Sequence, residues 1–392
     1  MKILYTNFHD GDGGGHTTYI LSLARALSAR HRVTIAAPLS SRLYQSASEI
    51  PGVEVVALEF RNRLGAMVGS GWKLRQLIEN KRFDIVHVNG SADHRIVMLA
   101  ALGLRRTRPR IVFTKHNDLP VSGLSTWLKG KLGTDSVICV SNYTRRRLAK
   151  TVYDRKVVWV VHHGVDLRRF APVRTEVVER LRNRWCPVIP RDALLVGSVA
   201  GTESNKGWLN MVAAVALLPA SQRERIRIVV AGQLPDTQQR ARVAALGMTD
   251  HVIFTGVLSD VRPVVAALDV GFVLSQRETL SFACREMMAM GKPVIVSDSG
   301  GLPENVDAGV NGWIVAPHEH ERMAQLLMRL LGNRLELTLA GMAARARSVA
   351  QFSLQAFAER TEAVYQECLA RIPPSFGKGG VREWSTVQRH SS

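Results

Sequence analysis

The chain has 392 residues, 52 Lys+Arg against 33 Asp+Glu for a net charge of +19, and an apolar fraction of 46%, ample for two or three domains with a core in each. Four scattered cysteines, Cys139, Cys186, Cys284 and Cys368, form no C-x-x-C pair and join no histidine cluster, which argues against a disulfide framework or a zinc site. Met1-Lys-Ile-Leu-Tyr reads as a strand instead of a leader, and the longest apolar run, near residues 96–104, is too short to span a bilayer, so a cytoplasmic protein is expected.

Strand-like apolar runs come first at residues 3–5, 33–35, 53–56, 85–88, 111–113 and 137–140, alternating with helix-like periodic segments. This is the signature of a parallel α/β domain. Gly11 and Gly13, Gly14 and Gly15 follow the first strand, and a helix is expected from His16, with Ile20, Leu23, Ala24 and Leu27 on one side. Glycines in that position let the backbone approach a ligand, although the spacing is not that of a dinucleotide-binding loop. His116 falls at the end of the fifth strand, between Lys115 and Asn117-Asp118, where a doubly wound sheet presents ligand-binding residues.

The positive charge is concentrated in this half: residues 1–170 hold 27 Lys+Arg against 12 Asp+Glu, whereas the remainder holds 25 against 21. Its densest points are Arg105-Arg106-Thr-Arg108-Pro-Arg110, Arg145-Arg146-Arg147 and the 127–131 segment, the last anchored by Trp127. An anionic partner is expected there, an anionic membrane surface among the candidates. Basic residues are not interleaved with aromatics and no recognition motif is present, so a nucleic-acid-binding protein is a remote alternative despite the high isoelectric point.

A second strand series follows residue 170, at 194–196, 226–230, 252–254, 270–273 and 293–296, with helices between, such as 208–218. Two doubly wound lobes are expected. Lys206-Gly207 ends a polar loop after the strand at 194–196, where a lysine can neutralise a diphosphate. Glu278-Thr-Leu-Ser-Phe-Ala-Cys-Arg-Glu286 then places two carboxylates around a helix start, with Ser281 as N-cap, a helix over 282–290 and Gly291-Lys-Pro293 as its stop. N–H groups at such a start attract phosphate, and a nearby carboxylate accepts hydrogen bonds from sugar or ribose hydroxyls. Helices over 319–349 and 354–371 finish the fold. From residue 373 the chain gains Pro, Gly and charge and loses periodicity, and a disordered tail is expected.

Glu278-x7-Glu286, followed by Gly-Lys-Pro-Val-Ile, Ser-Asp-Ser-Gly-Gly-Leu-Pro-Glu304 and Asn311-Gly-Trp, resembles family 4 of the retaining glycosyltransferases. The resemblance implies an α/β protein of the GT-B fold, with two Rossmann-like lobes facing across a cleft and a C-terminal helix returning to the first. It gives an acceptor-binding lobe over 1–170, a donor-binding lobe over 171–352, a helix over 353–372 and the tail. The 162–170 segment becomes the interlobe connection, with His163 where the family usually has Asn.

By the same resemblance the donor is a nucleotide-sugar bound by Lys206, Val257, Glu278, Leu280, Ser281, Phe282 and Glu286. Glu286 holds the ribose, Glu278 the sugar hydroxyls, and Lys206 with the N–H groups by residues 280–282 the leaving diphosphate. The loop from Gly256 and Val257 to about Asp260 lines the base pocket, with Gly300, Gly301 and Glu304 at its border. His116 lies near the transferred sugar, and Gly13, Gly14, Gly15, His16 and Asn117 form the acceptor side or phosphate loop. The family's Arg after the strand glycine is Ser198 here, so either Lys206 and the helix start by Ser281 and Phe282 suffice or a residue such as Arg277 or Arg285 contributes. No metal or other cofactor is implied, even at Asp10-Gly-Asp12. The acceptor is a glycan or glycolipid, as in lipopolysaccharide or envelope polysaccharide synthesis, at the cytoplasmic face of a membrane. A sugar-nucleotide epimerase or a phosphorylase is the alternative on this fold.

Overall fold

The computed structural model describes residues 1–61, 64–185, 190, 192–370 and 381–382, and the chain folds as two compact units. The first comprises Met1–Gly164 together with the chain from Leu354 onward. Its elements begin β1 (Lys2–Thr6), α1 (Gly14–Leu27), β2 (Arg32–Ala37), α2 (Arg42–Ser48), β3 (Val53–Ala57), α3 (Leu64–Lys81) and β4 (Ile85–Val88). They continue with α4 (Ser91–Ala101), β5 (Arg110–Lys115), α5 (Leu124–Leu132), β6 (Ser136–Cys139), α6 (Asn142–Arg146) and β7 (Val157–Val160). The strand β7 is absent from the expected series. Its run of four residues carries the ladder beyond β6, pairing Val158 with Val137.

The second unit, Val165–Ser353, contains α7 (Thr175–Trp185), β8 (Leu194–Ser198), α8 (Trp208–Ala216), α9 (Ala220–Arg223), β9 (Ile226–Val230), α10 (Thr237–Ala245), β10 (Val252–Phe254) and α11 (Arg262–Ala267). After these come β11 (Val270–Val273), α12 (Phe282–Ala289), β12 (Val294–Ser297), β13 (Gly312–Val315), α13 (His320–Gly332) and α14 (Arg334–Gln351). The helix α15 (Leu354–Ala370) and the short β14 (Val381–Arg382) belong to the first unit. Apart from β14, the tail expected to be disordered lies outside the described residues, as does Cys186.

Residue 170 was the expected lobe boundary, and the units divide earlier, at Gly164 and Val165. Two hydrogen bonds explain why the connection goes with the second unit. The Val165 N–H donates to the Phe352 carbonyl at 2.7 Å, and the Phe170 carbonyl accepts from Arg345 at 3.2 Å.

Both sheets are parallel, in the orders β14-β7-β6-β5-β4-β1-β2-β3 and β10-β9-β8-β11-β12-β13. Period-two alternation of apolar residues buries the second sheet on both faces. Val196, Ile228, Phe272 and Ile295 enter the core beneath α8 and α13, while Leu195, Val229, Val273 and Val296 enter the core beneath α11 and α12. In the first unit α1 and α15 cover one face, where Tyr365 of α15 meets Tyr5 Oη at 3.0 Å and His87 Nδ1 at 2.6 Å. The strand order reverses at β1, which lies between β2 and β4, and at β8, which lies between β9 and β11. The carboxyl ends of strands at such reversals open a crevice, so each unit presents its loops there for binding.

Candidate active site

At the reversal of the second sheet, the loop after β8 meets the loop after β11. Lys206 closes a short helical turn after β8, and its Nζ lies 3.3 Å from Glu278 Oε2, both side chains half-buried. The other carboxylate oxygen, Oε1, accepts the Thr279 N–H at 3.2 Å. Gly207 follows at φ +69, and a Cβ there would lie 1.9 Å from the Leu274 carbonyl oxygen. Only glycine lets the two loops approach this closely.

The segment between β11 and α12 is pinned along its backbone. The Gln276 N–H donates to the Asn205 carbonyl at 2.8 Å and the Gly301 N–H to the Glu278 carbonyl at 2.9 Å. Ser297 and Ser299 hydroxyls donate to the carbonyls of Ser275 and Gln276, and Asn305 Nδ2 donates to the Leu280 carbonyl at 2.6 Å. These bonds hold Ser281 at φ +83, a left-handed conformation costing on the order of 1–3 kcal/mol for a residue with a Cβ. From there its Oγ accepts the Cys284 N–H at 3.3 Å and caps α12, as the sequence implies.

Leu280 and Ser281 are buried and Phe282 is half-buried at this helix start, where the backbone N–H groups and the helix dipole favour an anion. Glu286, one turn into α12, is half-buried. Burial pushes its carboxyl up to about 7, against an opposing pull from Arg169. Loss of water has raised the cost of its charge, and hydroxyl donors from a ligand would lower that cost.

Arg285 is the correction. It was a substitute for the missing arginine near Ser198, yet its side chain is fully buried, with Nε donating to Asn305 Oδ1 at 2.7 Å and the guanidinium 3.9 Å from the Phe352 ring centroid. It braces Asn305, which in turn holds Leu280, and so acts on the loop from behind. Asn305 itself was not foreseen; nothing in Leu-Pro-Glu-Asn distinguishes it from a loop residue. Arg277 stays at the exposed surface.

Beyond β10, Val257 is 68% exposed, and the Gly256 carbonyl accepts the Gly232 N–H at 3.2 Å. Gly232 lies against Gly201 and Thr202, so the loops after β8, β9 and β10 converge in one place. Asp260, at the far end of that loop, forms an ion pair with Arg262 at 2.7 Å, and this neighbour holds its carboxyl below the usual range. A separate cavity of 630 Å³, lined by Pro172, Met290, Lys292 and Met342 among others, shares none of the residues expected at the site.

In the first unit α1 begins at Gly14, earlier than the expected His16, so Gly14 and Gly15 form its first turn and Gly13, at φ +65, is the N-cap. Glycines carry no helical periodicity, which hid this start. Asp12 accepts the Gly14 N–H at 3.0 Å and forms an ion pair with Arg42, and among the described residues no group of three His, Cys, Asp or Glu side chains is placed to hold a metal. His16 packs against His116 with ring centroids 4.3 Å apart and the rings tilted by 34°, and His9 meets His16 at 4.9 Å.

Burial holds His16 down to about 4 and His116 well below the usual histidine range, with the neighbouring histidines adding to the effect. Both rings are neutral near pH 7. His116 Nε2 lies 2.9 Å from Asn89 Oδ1, another residue not singled out from the sequence, although it stands at a strand end before Gly90. Lys115 turns inward to Asn117 Oδ1 at 2.9 Å and the Leu119 carbonyl at 2.7 Å. Asn117 Oδ1 also accepts the Leu119 N–H at 3.2 Å, so this oxygen shapes its own loop.

Comparison with known proteins bears on the family and on the two-unit fold. The family Glycosyltransferase Family 4 matches residues 13–169 and Glycosyl transferases group 1 matches residues 179–348. An MMP alpha-(1->4)-mannosyltransferase of Mycolicibacterium hassiacum is 32% identical over 216 residues, 54% of this chain and 49% of that one, so the match spans about half of either. The lipopolysaccharide core biosynthesis mannosyltransferase LpsB of Rhizobium meliloti is 27% identical over 365 residues, 82% of this chain and 99% of that one. Anabaena HepE, solved with UDP, superposes with a TM-score of 0.81 at 18% identity, covering 94% of this chain and all of that one; the same protein has been solved with UDP-glucose. The two parallel-sheet units are those of the GT-B fold, and the chain belongs to family 4 of the glycosyltransferases.

Proposed function

We propose that this enzyme transfers a sugar, with retention at the anomeric carbon, from a nucleoside-diphosphate sugar held by the second unit to a hydroxyl of a glycan or glycolipid held by the first. The observation that carries the reading is the convergence of Lys206, Glu278 and the start of α12 at the reversal of the second sheet. Glu286 takes the ribose hydroxyls and Glu278 those of the sugar. Lys206 and the N–H groups around residues 280–282 receive the charge that develops on the diphosphate as the anomeric C–O bond breaks. The acceptor oxygen attacks from the same face and its proton passes to the departing phosphate, so neither a protein nucleophile nor a metal or other cofactor enters the step. His116, neutral, orients a hydroxyl near the transferred sugar.

UDP in HepE and mannosyl transfer by LpsB support a nucleotide-sugar donor, and the pathway in LpsB's name supports an envelope glycan as acceptor. Incubation with UDP-, GDP- and ADP-sugars and a lipopolysaccharide-core acceptor tests the reading. A glycoside with retained configuration, formed equally well in the presence of EDTA, is expected. A free sugar epimer or a sugar phosphate as product would overturn it in favour of an epimerase or phosphorylase.

The first unit also suits a membrane surface. Among the described residues no helix is long and apolar enough to cross one, but α5 exposes Leu124 at 72% and Trp127 at 50%, with Lys131 Nζ 5.8 Å from the Trp127 ring centroid. Arg147 donates to the Asp118 carbonyl, next to the exposed Leu119. Apolar side chains beside cations favour an anionic bilayer on which the enzyme sits peripherally at the cytoplasmic face; no nucleic acid partner is proposed. The full chain is expected to float with phosphatidylglycerol vesicles at low salt and not with phosphatidylcholine vesicles, and L124D/W127A to remain at the bottom. Equal flotation of wild type and variant would remove this surface from the account.

A further inference from the structure

We propose that Asn89 is a positioning residue that fixes the tautomer of His116, placing the ring proton on Nε2 and the lone pair on Nδ1. The proposal builds on the role given to His116 above. Asn89 is 1% exposed at the end of β4, and its orientation is determined by its own donors: Nδ2 lies 3.2 Å from the Thr6 carbonyl and 3.3 Å from the His87 carbonyl. Carbonyl oxygens only accept, so the amide nitrogen must face them. The atom left 2.9 Å from His116 Nε2 is therefore the amide oxygen Oδ1. An amide oxygen also only accepts, and an uncharged imidazole meets it with an N–H.

Asn89 is held at its backbone as well. Its N–H donates to Asp93 Oδ2 at 2.9 Å, and the same oxygen accepts the Thr6 hydroxyl at 2.8 Å. Asp93 is fully buried in the first turn of α4, so the ends of β1 and β4 and the start of α4 close on one carboxylate oxygen. The ring is surrounded by His16 at 4.3 Å and Tyr19 at 4.5 Å between centroids, and burial beside His16, His87, His163 and His9 disfavours its protonation. With Nε2 committed and no second proton, His116 can accept a hydrogen bond at Nδ1 and cannot donate one there. That selects orientation of a substrate hydroxyl over service as a general acid.

The test uses the full chain labelled with 15N-histidine, without ligand, with the His116 resonances assigned by their loss in His116→Gln. The expected spectrum shows a protonated-type Nε2 and an unprotonated-type Nδ1 from pH 6 to 8, and a shift toward a mixture of tautomers in Asn89→Leu. A proton on Nδ1 in the wild type, or a tautomer unchanged in Asn89→Leu, would overturn the proposal. Should Asn89→Leu not fold, Asn89→Asp takes its place: it keeps an oxygen near Nε2, and a raised imidazole pKa with the tautomer retained is expected, while an unaltered titration would overturn the proposal. In transfer assays Asn89→Leu is expected to lower kcat by roughly 10- to 100-fold with little change in donor KM. Full transfer by His116→Gln would remove the catalytic role of the ring while leaving the tautomer measurement standing, so the two failures are distinguishable.

Discussion

Replacing Lys206 by methionine is expected to lower kcat by roughly 10²- to 10³-fold, the usual consequence of removing one group that stabilises charge developing in a transition state. Methionine keeps the length and apolar stem of the side chain and removes only the cation. Lys206 is a cation at the reversal of the sheet beside Glu278, Ser198 supplies no charge, and Arg285 is committed to Asn305 and Phe352. The ion pair with Glu278 is partly solvated, and such pairs contribute about 0–1 kcal/mol. The melting temperature should therefore move by a few degrees at most. Steady-state kinetics beside a thermal melt checks this: a kcat within threefold of wild type would show that the diphosphate is neutralised elsewhere.

Gly300→Ala is expected to be, with Gly207→Ala, among the most damaging single methyls in the second unit. Gly300 sits at φ +62, and a Cβ there would lie 1.9 Å from the Glu278 carbonyl oxygen, well inside contact distance and against backbone that cannot rotate away. The neighbouring Gly301 N–H holds that same carbonyl, so the clash is relieved only by moving the segment that carries Glu278. A stability loss of about 2–4 kcal/mol follows from the strained backbone and the overpacking together, with transfer reduced by roughly 10²-fold because a shift of about 1 Å at the reacting centre costs that much. Chemical denaturation and a transfer assay check both arms. Gly309→Ala, where a Cβ meets nothing within 4 Å at φ +79, is the control that carries the left-handed cost without the clash, and equal losses in both variants would show that the clash is not the cause.

Much of this architecture was legible in the chain. Apolar runs such as Ile226-Arg-Ile-Val-Val230, interleaved with amphipathic segments, indicate parallel strands covered on both faces, and Ser281 was legible as a cap because its spacing from the apolar stretch of α12 is local information. What escaped depends on contacts between distant segments. The strand β7 is a run of four residues whose pairing with β6 supplies its identity. Arg285 looked like a phosphate ligand because an eight-residue helix gives too few turns to tell which side faces the core; Asn305 and Phe352 decide it. Asn89 gains its significance only when the ends of β1, β4 and β5 are brought together. The left-handed backbone of Ser281 likewise follows from carbonyls held by Asn305 and Gly301, and serine itself gives no sign of it.

Glu286 offers the most direct test of the central claim, that the second unit grips a nucleotide through α12. Its carboxyl, ordinarily near 4.5, is raised to about 7 in the folded protein. The stability associated with its protonated form is present below pH 4.5 and lost as pH rises through about 7. Ribose hydroxyls donate to the ionised form, so binding expels the proton and should be about tenfold weaker at pH 6 than at pH 8. Calorimetric titration of UDP and GDP into the wild type and Glu286→Gln at these two pH values decides the matter. Tight binding of one nucleotide by the wild type, strengthening toward pH 8, with both the affinity and its pH dependence lost in a folded Glu286→Gln, is the predicted result. Binding of neither nucleotide, or equal affinity and pH dependence in the two proteins, would contradict it.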